Sequence, residues 1–361
     1  MRYPTAAADL PDRLWQAVAD GDAFAAVDIL HKAADGVDEE TLLLEVIAPV
    51  QEKAGTEWAA GRITVAQEHA ATAVNERVVA TLAHRRAAPE RHAPRPGRVT
   101  VGCVDGEWHT FPARLVAEVL RLRGWQVDYL GARIPTPHLV AHMHLTNPDA
   151  VLLSASVPTR LPTAHAAVTA CQAIGVPVLA GGRAFGADGR HARVLGADRW
   201  AADARGAATV LEAGIDRPGP AAIRQVADDL PHLADQEYTM VVQSRPPLVK
   251  QTLADLETRF PGMRGYDDAQ REHTAQDIAH IVDFLATALY VDDPGIFTAF
   301  LAWTADILEA RHVPARSVAI GLDSLAAQLR EFPRTLGLLR RGSAVVLDRP
   351  TRPVPGPHLP A

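Results

Sequence analysis

The stretch Val99–Gly131 reads VTVGCVDGEWHTFPARLVAEVLRLRGWQVDYLG and predicts a strand, a helix and a second strand. Val99–Val104 is a short apolar run, as expected for a strand buried on both faces of a parallel sheet. Pro112 suits the first turn of the helix, and Gly124 suits its end. The unit predicts an open α/β sheet, in which the loop after the first strand lies at the ligand-binding edge.

That loop contains a carboxylate and a histidine, Glu107 and His109. A lone histidine in such a loop is often only a polar surface residue. Two later strands favour a ligand site, because Ala150–Ser156 ends in two serines and Pro177–Gly182 ends in a glycine pair that lets a ligand approach the backbone. Loops that follow successive parallel strands meet at one edge of the sheet, so these residues predict one site.

The loop residues resemble the cobalamin-binding Rossmann-like domain, whose pattern is Asp or Glu, any residue, His, two residues, Gly. Here the pattern is Glu107-Trp108-His109-Thr110-Phe111-Pro112, with Pro112 in place of glycine. The resemblance implies that His109 binds cobalt as the lower axial ligand of a base-off cobalamin and that Glu107 orients its imidazole. It also implies that the following residues line the site: Trp108, Thr110, Tyr129, Leu130, Gly131, Ser154, Ser156, Val157, Gly181, Gly182 and Arg183.

Before this domain, apolar residues recur at helical spacing and predict a four-helix bundle over residues 1–88. Thr64 is the expected N-cap of its last helix. A linker rich in proline and arginine follows at 89–97, and the α/β domain is expected over 98–216.

The bundle contains Trp58 and, after nine intervening residues, Glu68-His69. This spacing resembles the helical cap of the adenosylcobalamin-dependent photoreceptor repressors. The resemblance implies that Trp58, Val65, Glu68 and His69 line the upper, adenosyl-bearing face of the cofactor. Ala59 stands where those repressors carry a histidine that binds cobalt after illumination. The alternative is a buried tryptophan with an unrelated surface Glu-His pair.

Composition limits the class of protein. The chain has 361 residues, a formal net charge of −7 and two cysteines, Cys103 and Cys171. These features predict a cytoplasmic protein without a disulfide framework, without a membrane segment and without direct nucleic-acid binding. The DNA-binding helix-turn-helix that the photoreceptor repressors carry is not recognised in this sequence.

Residues 221–345 predict an all-α domain, followed by a disordered tail over 346–361. Its helix Ala269–Tyr290 has one apolar stripe and, opposite it, a polar and aromatic stripe of His273, Asp277, His280 and Phe284. In a globin-like bundle this stripe suits a tetrapyrrole, with Arg264 available for a propionate. A bilin that accepts several hydrogen bonds is our interpretation; haem ligation by a histidine and a merely solvated helix face are the alternatives.

The order of cap, cobalamin sheet and helical domain resembles the photocobilins. The resemblance implies a light sensor rather than an enzyme, which binds adenosylcobalamin and, non-covalently, biliverdin. Photolysis of the cobalt–carbon bond would change a homo-oligomer, a dimer or tetramer, and signal to an unidentified downstream protein. The alternatives are a corrinoid shuttle that carries methyl groups between methyltransferases, and a cobalamin protein with a haem-binding sensor domain.

Overall fold

The computed structural model describes residues 9–86, 96–218, 231–233, 235–311 and 313–349. The chain divides into two compact units, with the boundary between residues 227 and 228. Most of the predicted 89–97 linker, the start of the predicted C-terminal domain at 221–230, and tail residues 350–361 lie outside the described residues. The predicted domain boundaries therefore stay predictions.

The first unit begins with four helices, as predicted. They are α1 (Leu10–Ala19), α2 (Ala23–Ala33), α3 (Glu39–Thr41, a π-helical turn Leu42–Ile47, and Ala48–Ala59) and α4 (Val65–Arg85). Thr64 caps α4 in a reciprocal capping box with Gln67, so the N-cap prediction is confirmed. Because each helix buries an apolar stripe, the four stripes together form the core of the bundle.

A five-stranded parallel sheet follows, in the order β2-β1-β3-β4-β5. The strands are β1 (Arg98–Cys103), β2 (Gln126–Gly131), β3 (Ala150–Ser154), β4 (Val178–Gly181) and β5 (Arg199–Ala201). The connecting helices are α5 (Phe111–Leu122), α6 (Thr136–Thr146), α7 (Leu161–Ala173), α8 (Arg190–Val194) and α9 (Ala204–Ala213). Helix α5 packs beside α9, and α6 packs beside α7, so the sheet is covered on both faces. The predicted parallel α/β fold is confirmed.

The strand order fixes where a ligand binds. From β1 the chain adds β2 on one side and then β3, β4 and β5 on the other, so the strand order reverses between β1 and β3. In open α/β sheets the crevice lies at this switch point, beyond the carboxyl ends of the strands. The His109 loop follows β1, and Ser156 and Val157 follow β3. Both therefore flank the crevice.

The bundle packs on α5, one of the helices that cover the sheet, through an apolar and an ionic contact. Phe111, Leu115 and Val119 of α5 belong to the same buried core as the bundle helices. Beside them, the buried carboxylate of Glu118 accepts from Arg86 at 2.7 Å. Because apolar and charged contacts combine here, the bundle is held in a defined orientation on α5.

The second unit is helical throughout the part that the structure describes. Its helices are α10 (Glu237–Gln243), α11 (Arg245–Arg259), α12 (Asp268–Val291), α13 (Pro294–Ala310), α14 (Arg316–Gln328) and α15 (Pro333–Leu347). The all-α prediction for this part of the chain gave no local signal for α10 or α15. Glu237 of α10 is buried and accepts hydrogen bonds from the backbone of Arg334 and Thr335 at the start of α15. This long-range cap depends on tertiary contact and leaves no local sequence signal. The globin-like assignment of this unit stays a prediction.

Among the described residues, no helix is long and apolar enough to cross a membrane.

Candidate functional site

The loop after β1 is organised around the side chain of Glu107, which is fully buried. Its Oε1 accepts from the backbone N–H groups of Trp108 and His109, both at 2.9 Å, and lies 2.7 Å from Nδ1 of His109. Its Oε2 accepts from the N–H groups of Ser156 at 2.8 Å and Val157 at 3.1 Å, beyond β3. One carboxylate thus joins the two loops that flank the switch point.

Burial alone would raise the pKa of Glu107, but the hydrogen bonds from His109, Ser156 and Val157 lower it to about 2. The group is therefore ionised at neutral pH and can only accept hydrogen bonds. Consequently Nδ1 of His109 must carry the ring proton, which leaves the lone pair of Nε2 as a metal ligand. The His109 side chain is 47% exposed, so a ligand can reach it.

Two neighbours of the loop are placed for contact with a bound molecule. Trp108 is 59% exposed, and its ring meets the His109 ring edge-on with centroids 5.3 Å apart. Thr110 precedes α5, and its carbonyl accepts from the hydroxyl of Tyr129 at 3.3 Å. Burial raises the pKa of that hydroxyl to about 12, so it stays a donor. Leu130 and Gly131 follow Tyr129 at the end of β2 and are half-buried.

The ends of the central strands lie side by side. Cys103 pairs in register with Ser154, and Ser154 pairs with Gly181. Gly182 has a positive φ of 99°, and a Cβ there would collide with the carbonyl oxygen of Ala155. Glycine is therefore required at this position to let the chain turn close beside β3. Arg183 follows it and is exposed.

A cavity of about 350 Å³ opens between the sheet and helices α5 and α9. Predicted site residues Ser154, Gly181 and Gly182 line it, and Leu44 and Ala48 of the bundle complete its wall. Its volume lies within the range of small-molecule sites. An elongated apolar group could enter the sheet here, beside the His109 loop.

The predicted cap residues lie near the turn between α3 and α4. Trp58, near the end of α3, is half-buried, and Val65 at the start of α4 is 50% exposed. Glu68 and His69 contact each other, with Oε2 of Glu68 2.7 Å from Nδ1 of His69. These four residues were predicted from the sequence, whereas the side chains that hold Glu68 were not.

A chain of hydrogen bonds holds Glu68 in place. The Asn75 amide donates to Gln51 at 2.8 Å, and the Gln51 amide donates to Thr72 at 2.7 Å. The Thr72 hydroxyl then donates to Oε1 of Glu68 at 2.9 Å. Thr72 and Asn75 are polar residues on a helix face that is otherwise apolar, and this pattern could have indicated the series of hydrogen bonds from the sequence.

The direction of α4 places the cap on the same side as His109. Glu76 of α4 contacts Thr110 at the start of α5, whereas Arg86, just past α4, contacts Glu118 near the end of α5. The two helices therefore run in the same direction. At 1.5 Å per residue, Glu68 lies about 12 Å before Glu76 along α4, beyond the start of α5. This is the edge of the sheet at which the His109 loop lies.

In the second unit, the predicted apolar stripe of α12 is buried, as expected: Ile278, Ile281, Val282, Leu285 and Leu289. The opposite stripe is more open than a closed pocket would require, because His273, Asp277 and His280 are all exposed. The sequence predicts a ligand site around Asp277; in the structure the Asp277 side chain is exposed, and its part in binding a ligand stays a prediction. Partial desolvation nevertheless raises the pKa of Asp277, against the opposing charges of His280, Arg311 and His273.

Aromatic residues that the sequence did not single out extend this stripe. The ring of Phe300 in α13 stacks on the ring of Phe284, with the two ring centroids 3.8 Å apart. The ring centroid of Trp303 lies 6.2 Å from that of Phe300, and Trp303 is 45% exposed. Arg264 is exposed on a 3₁₀ turn, and no hydrogen bond or ion pair joins it to the stripe among the described residues. The arginine whose charge acts on Asp277 is Arg311, beside the charges of His280 and His273.

Comparison with known protein families agrees with the geometry of the first unit. Residues 97–211 match the B12 binding domain, and residues 10–83 match a second family that is also described as a B12 binding domain. The two matches cover the sheet and the bundle. No match among curated proteins is significant.

Three solved structures are similar at low identity. The monomethylamine corrinoid protein of Methanosarcina barkeri is 20% identical, with a TM-score of 0.49, over 57% of this chain and 98% of that one. The methanol:cobalamin methyltransferase complex of the same organism is 17% identical, with a TM-score of 0.32, over 62% and 85%. A cobalamin-binding protein from Desulfitobacterium hafniense DCB-2 is 20% identical, with a TM-score of 0.30, over 57% and 98%.

The family matches account for what the geometry shows in the first unit: a histidine with a free Nε2, a cavity that enters the sheet beside it, and a helical bundle at the same edge. The chain therefore contains a helical and a Rossmann-like cobalamin-binding domain.

Proposed function

We propose that this chain is a light sensor that binds adenosylcobalamin base-off between the bundle and the sheet. The single observation that carries the cofactor assignment is the Glu107–His109 pair, which leaves the Nε2 lone pair of an exposed imidazole at the switch point of the sheet. Adenosylcobalamin supplies a cobalt–carbon bond that light can break.

Each group in the first unit has a role in this proposal. His109 would bind the cobalt through Nε2, and Glu107 keeps the ring oriented and its Nδ1 protonated. The cavity beside Ser154, Gly181 and Gly182 accepts the displaced nucleotide tail. Trp58, Glu68 and His69 of the bundle would contact the adenosyl group, and the packing of Trp58 in the bundle would then depend on whether that group is present.

Trp58 and the hydrogen-bond chain that ends at Glu68 support the sensing step. An aromatic ring and a positioned carboxylate can recognise an adenosyl group, through stacking and through hydrogen bonds to its hydroxyls. A methyl group offers neither contact. We expect a shift of the bundle to change a homo-oligomer and to signal to a downstream protein, without enzymatic turnover.

A corrinoid carrier of methyl groups is the second candidate. A bundle and a cobalamin sheet are the parts that methyl carriers also use, so the two family matches support the carrier at least as well as the sensor. In that case Trp58 only fills the bundle, and the upper ligand is exchanged by partner methyltransferases.

For the second unit we propose non-covalent binding of biliverdin on the surface formed by His273, Asp277, His280, Phe284 and Phe300. Two histidines and a carboxylate provide several donors and acceptors beside an aromatic face, as an open-chain tetrapyrrole requires. Haem is the competing ligand, because one accessible histidine is enough to bind its iron.

The deciding experiment loads the purified chain with adenosylcobalamin and with methylcobalamin and records absorption spectra and molecular mass before and after green light. We expect photolysis of the adenosyl form to change the mass. The variant His109→Ala should lose the spectral signature of histidine-bound cobalt. An unchanged spectrum in this variant would contradict the role of His109, and an unchanged mass after complete photolysis would favour the carrier.

A further inference from the structure

Arg160 lies beside the His109 loop and has no role in the site described above. It ends the short 3₁₀ turn Pro158–Arg160 that follows β3, and it directly precedes α7. Its guanidinium covers Gly106 of the neighbouring loop, since a Cβ built on Gly106 would lie 2.9 Å from Nη1 of Arg160 and 3.3 Å from Cζ. The positive φ of Gly106, 76°, helps the backbone to pass beneath the guanidinium.

The guanidinium is unusual because it has no partner of its own. Its Nε is buried and unpaired, and no hydrogen bond or ion pair of this guanidinium occurs among the described residues. Two carboxylates flank Gly106 in sequence, Asp105 and Glu107. Glu107 already accepts from the backbone and from His109 with both oxygens, and Asp105 forms no ion pair with Arg160 among the described residues. A partly buried arginine without an acceptor costs free energy, and a ligand oxygen that reaches it would recover that cost.

We propose that Arg160 is a specificity-determining residue that donates hydrogen bonds to an amide carbonyl at the edge of the bound corrinoid macrocycle. The proposal rests on cobalamin binding beside His109, as proposed above. A corrinoid offers two kinds of oxygen to a guanidinium, namely amide carbonyls around the ring and the phosphate of the nucleotide tail.

The topology favours the ring over the tail. The cavity for the tail lies on the face of the sheet covered by α5 and α9. Arg160 begins α7, which packs with α6 on the opposite face. A phosphate in the tail cavity is therefore separated from Arg160 by the sheet, whereas the edge of a ring lying over the His109 loop is not.

The test measures the affinity of the full chain for cobalamin and for cobinamide, which keeps the ring amides but lacks the nucleotide and its phosphate. Charge-assisted hydrogen bonds are strong enough that Arg160→Gln should weaken binding of both corrinoids by roughly tenfold or more. Arg160→Lys should have an intermediate effect, because it keeps the charge but not the planar geometry. The matched control is Arg199→Gln, at the opposite edge of the sheet, where the guanidinium donates to the Asp198 carbonyl.

The outcomes separate the alternatives. Equal loss for both corrinoids, with the histidine-bound cobalt spectrum retained at saturation, supports the ring contact. Loss for cobalamin alone would assign Arg160 to the phosphate and overturn the proposal, as would unchanged affinities for both. If the wild-type chain binds corrinoid but its spectrum does not depend on His109, the proposed cobalt ligation fails separately. Absence of binding by the wild-type chain would overturn both.

Discussion

The loop around His109 and the outer stripe of α12 each combine histidines with a carboxylate, yet they are held very differently. Glu107 is buried and takes hydrogen bonds from two loops, so His109 has one tautomer and one orientation. Asp277 is exposed between two exposed histidines. A backbone-anchored loop at a strand end prepares a ligand site before the ligand arrives, whereas a helix face leaves most of the ordering to the ligand itself.

The sharpest test of this difference removes the anchor. Glu107→Ala leaves several buried N–H groups without an acceptor, so we expect a loss of about 4 kcal/mol in the free energy of unfolding and loss of oriented cobalt ligation. Chemical denaturation measures the first effect, and the absorption spectrum of the corrinoid complex measures the second. Glu212→Ala, which removes a half-exposed carboxylate paired with Arg123, should cost less than about 0.5 kcal/mol.

The same anchor predicts a pH dependence. The pKa of Glu107 falls from 4.5 to about 2 on folding, which corresponds to about 3 kcal/mol of stability. Because the folded-state pKa is the lower one, this stability is fully present above pH 4.5 and is lost as the pH falls toward 2. Denaturation curves at several pH values should show that the free energy of unfolding of the wild type decreases over this pH range. In Glu107→Ala the decrease should be smaller by about 3 kcal/mol.

A substitution in the backbone turn beside the cavity should reduce the free energy of unfolding somewhat less than Glu107→Ala. Gly182→Ala places a Cβ against the Ala155 carbonyl at a positive φ, so we expect a loss of about 3 kcal/mol and weaker corrinoid binding. Gly214→Ala is the matched control, since its φ is 84° but nothing lies within 4 Å of the added carbon. It should lose only about 1 kcal/mol. Equal losses in the two variants would show that close packing at Gly182 is unimportant.

A substitution in the predicted cap should change the relative affinities for two corrinoids rather than the stability of the fold. Trp58→Ala should weaken binding of adenosylcobalamin roughly tenfold more than binding of methylcobalamin, because only the adenosyl group can stack on the indole. Trp15→Ala, which removes a ring contacted by Lys53 in the same bundle, should leave the ratio of the two affinities unchanged. Equal weakening of both corrinoids by Trp58→Ala would favour the methyl carrier.

The smallest effects are expected in the second unit. Because the stripe is exposed, His273→Ala and His280→Ala should each weaken biliverdin binding by the full chain only about threefold to tenfold. Titration followed by absorption in the red measures this. His232→Ala, in which the lost ring stacks on Tyr290 at 4.0 Å, is the control and should not change the affinity. Tight haem binding without a red-absorbing biliverdin complex would contradict the biliverdin proposal and favour haem as the ligand.

The contrast also explains what could be predicted from the sequence. The parallel sheet and the four-helix bundle follow from local patterns, such as the apolar run Val99–Val104 and the capping box at Thr64. Glu107 and His109 could be found because strand ends converge. The anchoring N–H groups of Ser156 and Val157 belong to the backbone and are not visible in side-chain identity. Arg160 and Phe300 lie far along the chain from the groups that they contact, so only the fold brings them together.

The thiol of Cys103 lies directly beneath the His109 loop, with Sγ 3.7 Å from the carbonyl oxygen of His109. Burial and the charge of Glu107 raise the pKa of this thiol to about 12. At neutral pH only on the order of one molecule in 10⁵ holds it as thiolate, the form that reacts with metals and oxidants. The thiol next to the His109 loop therefore stays protonated at neutral pH, and it is not available as a soft sulfur ligand that could compete with the His109 imidazole for a metal.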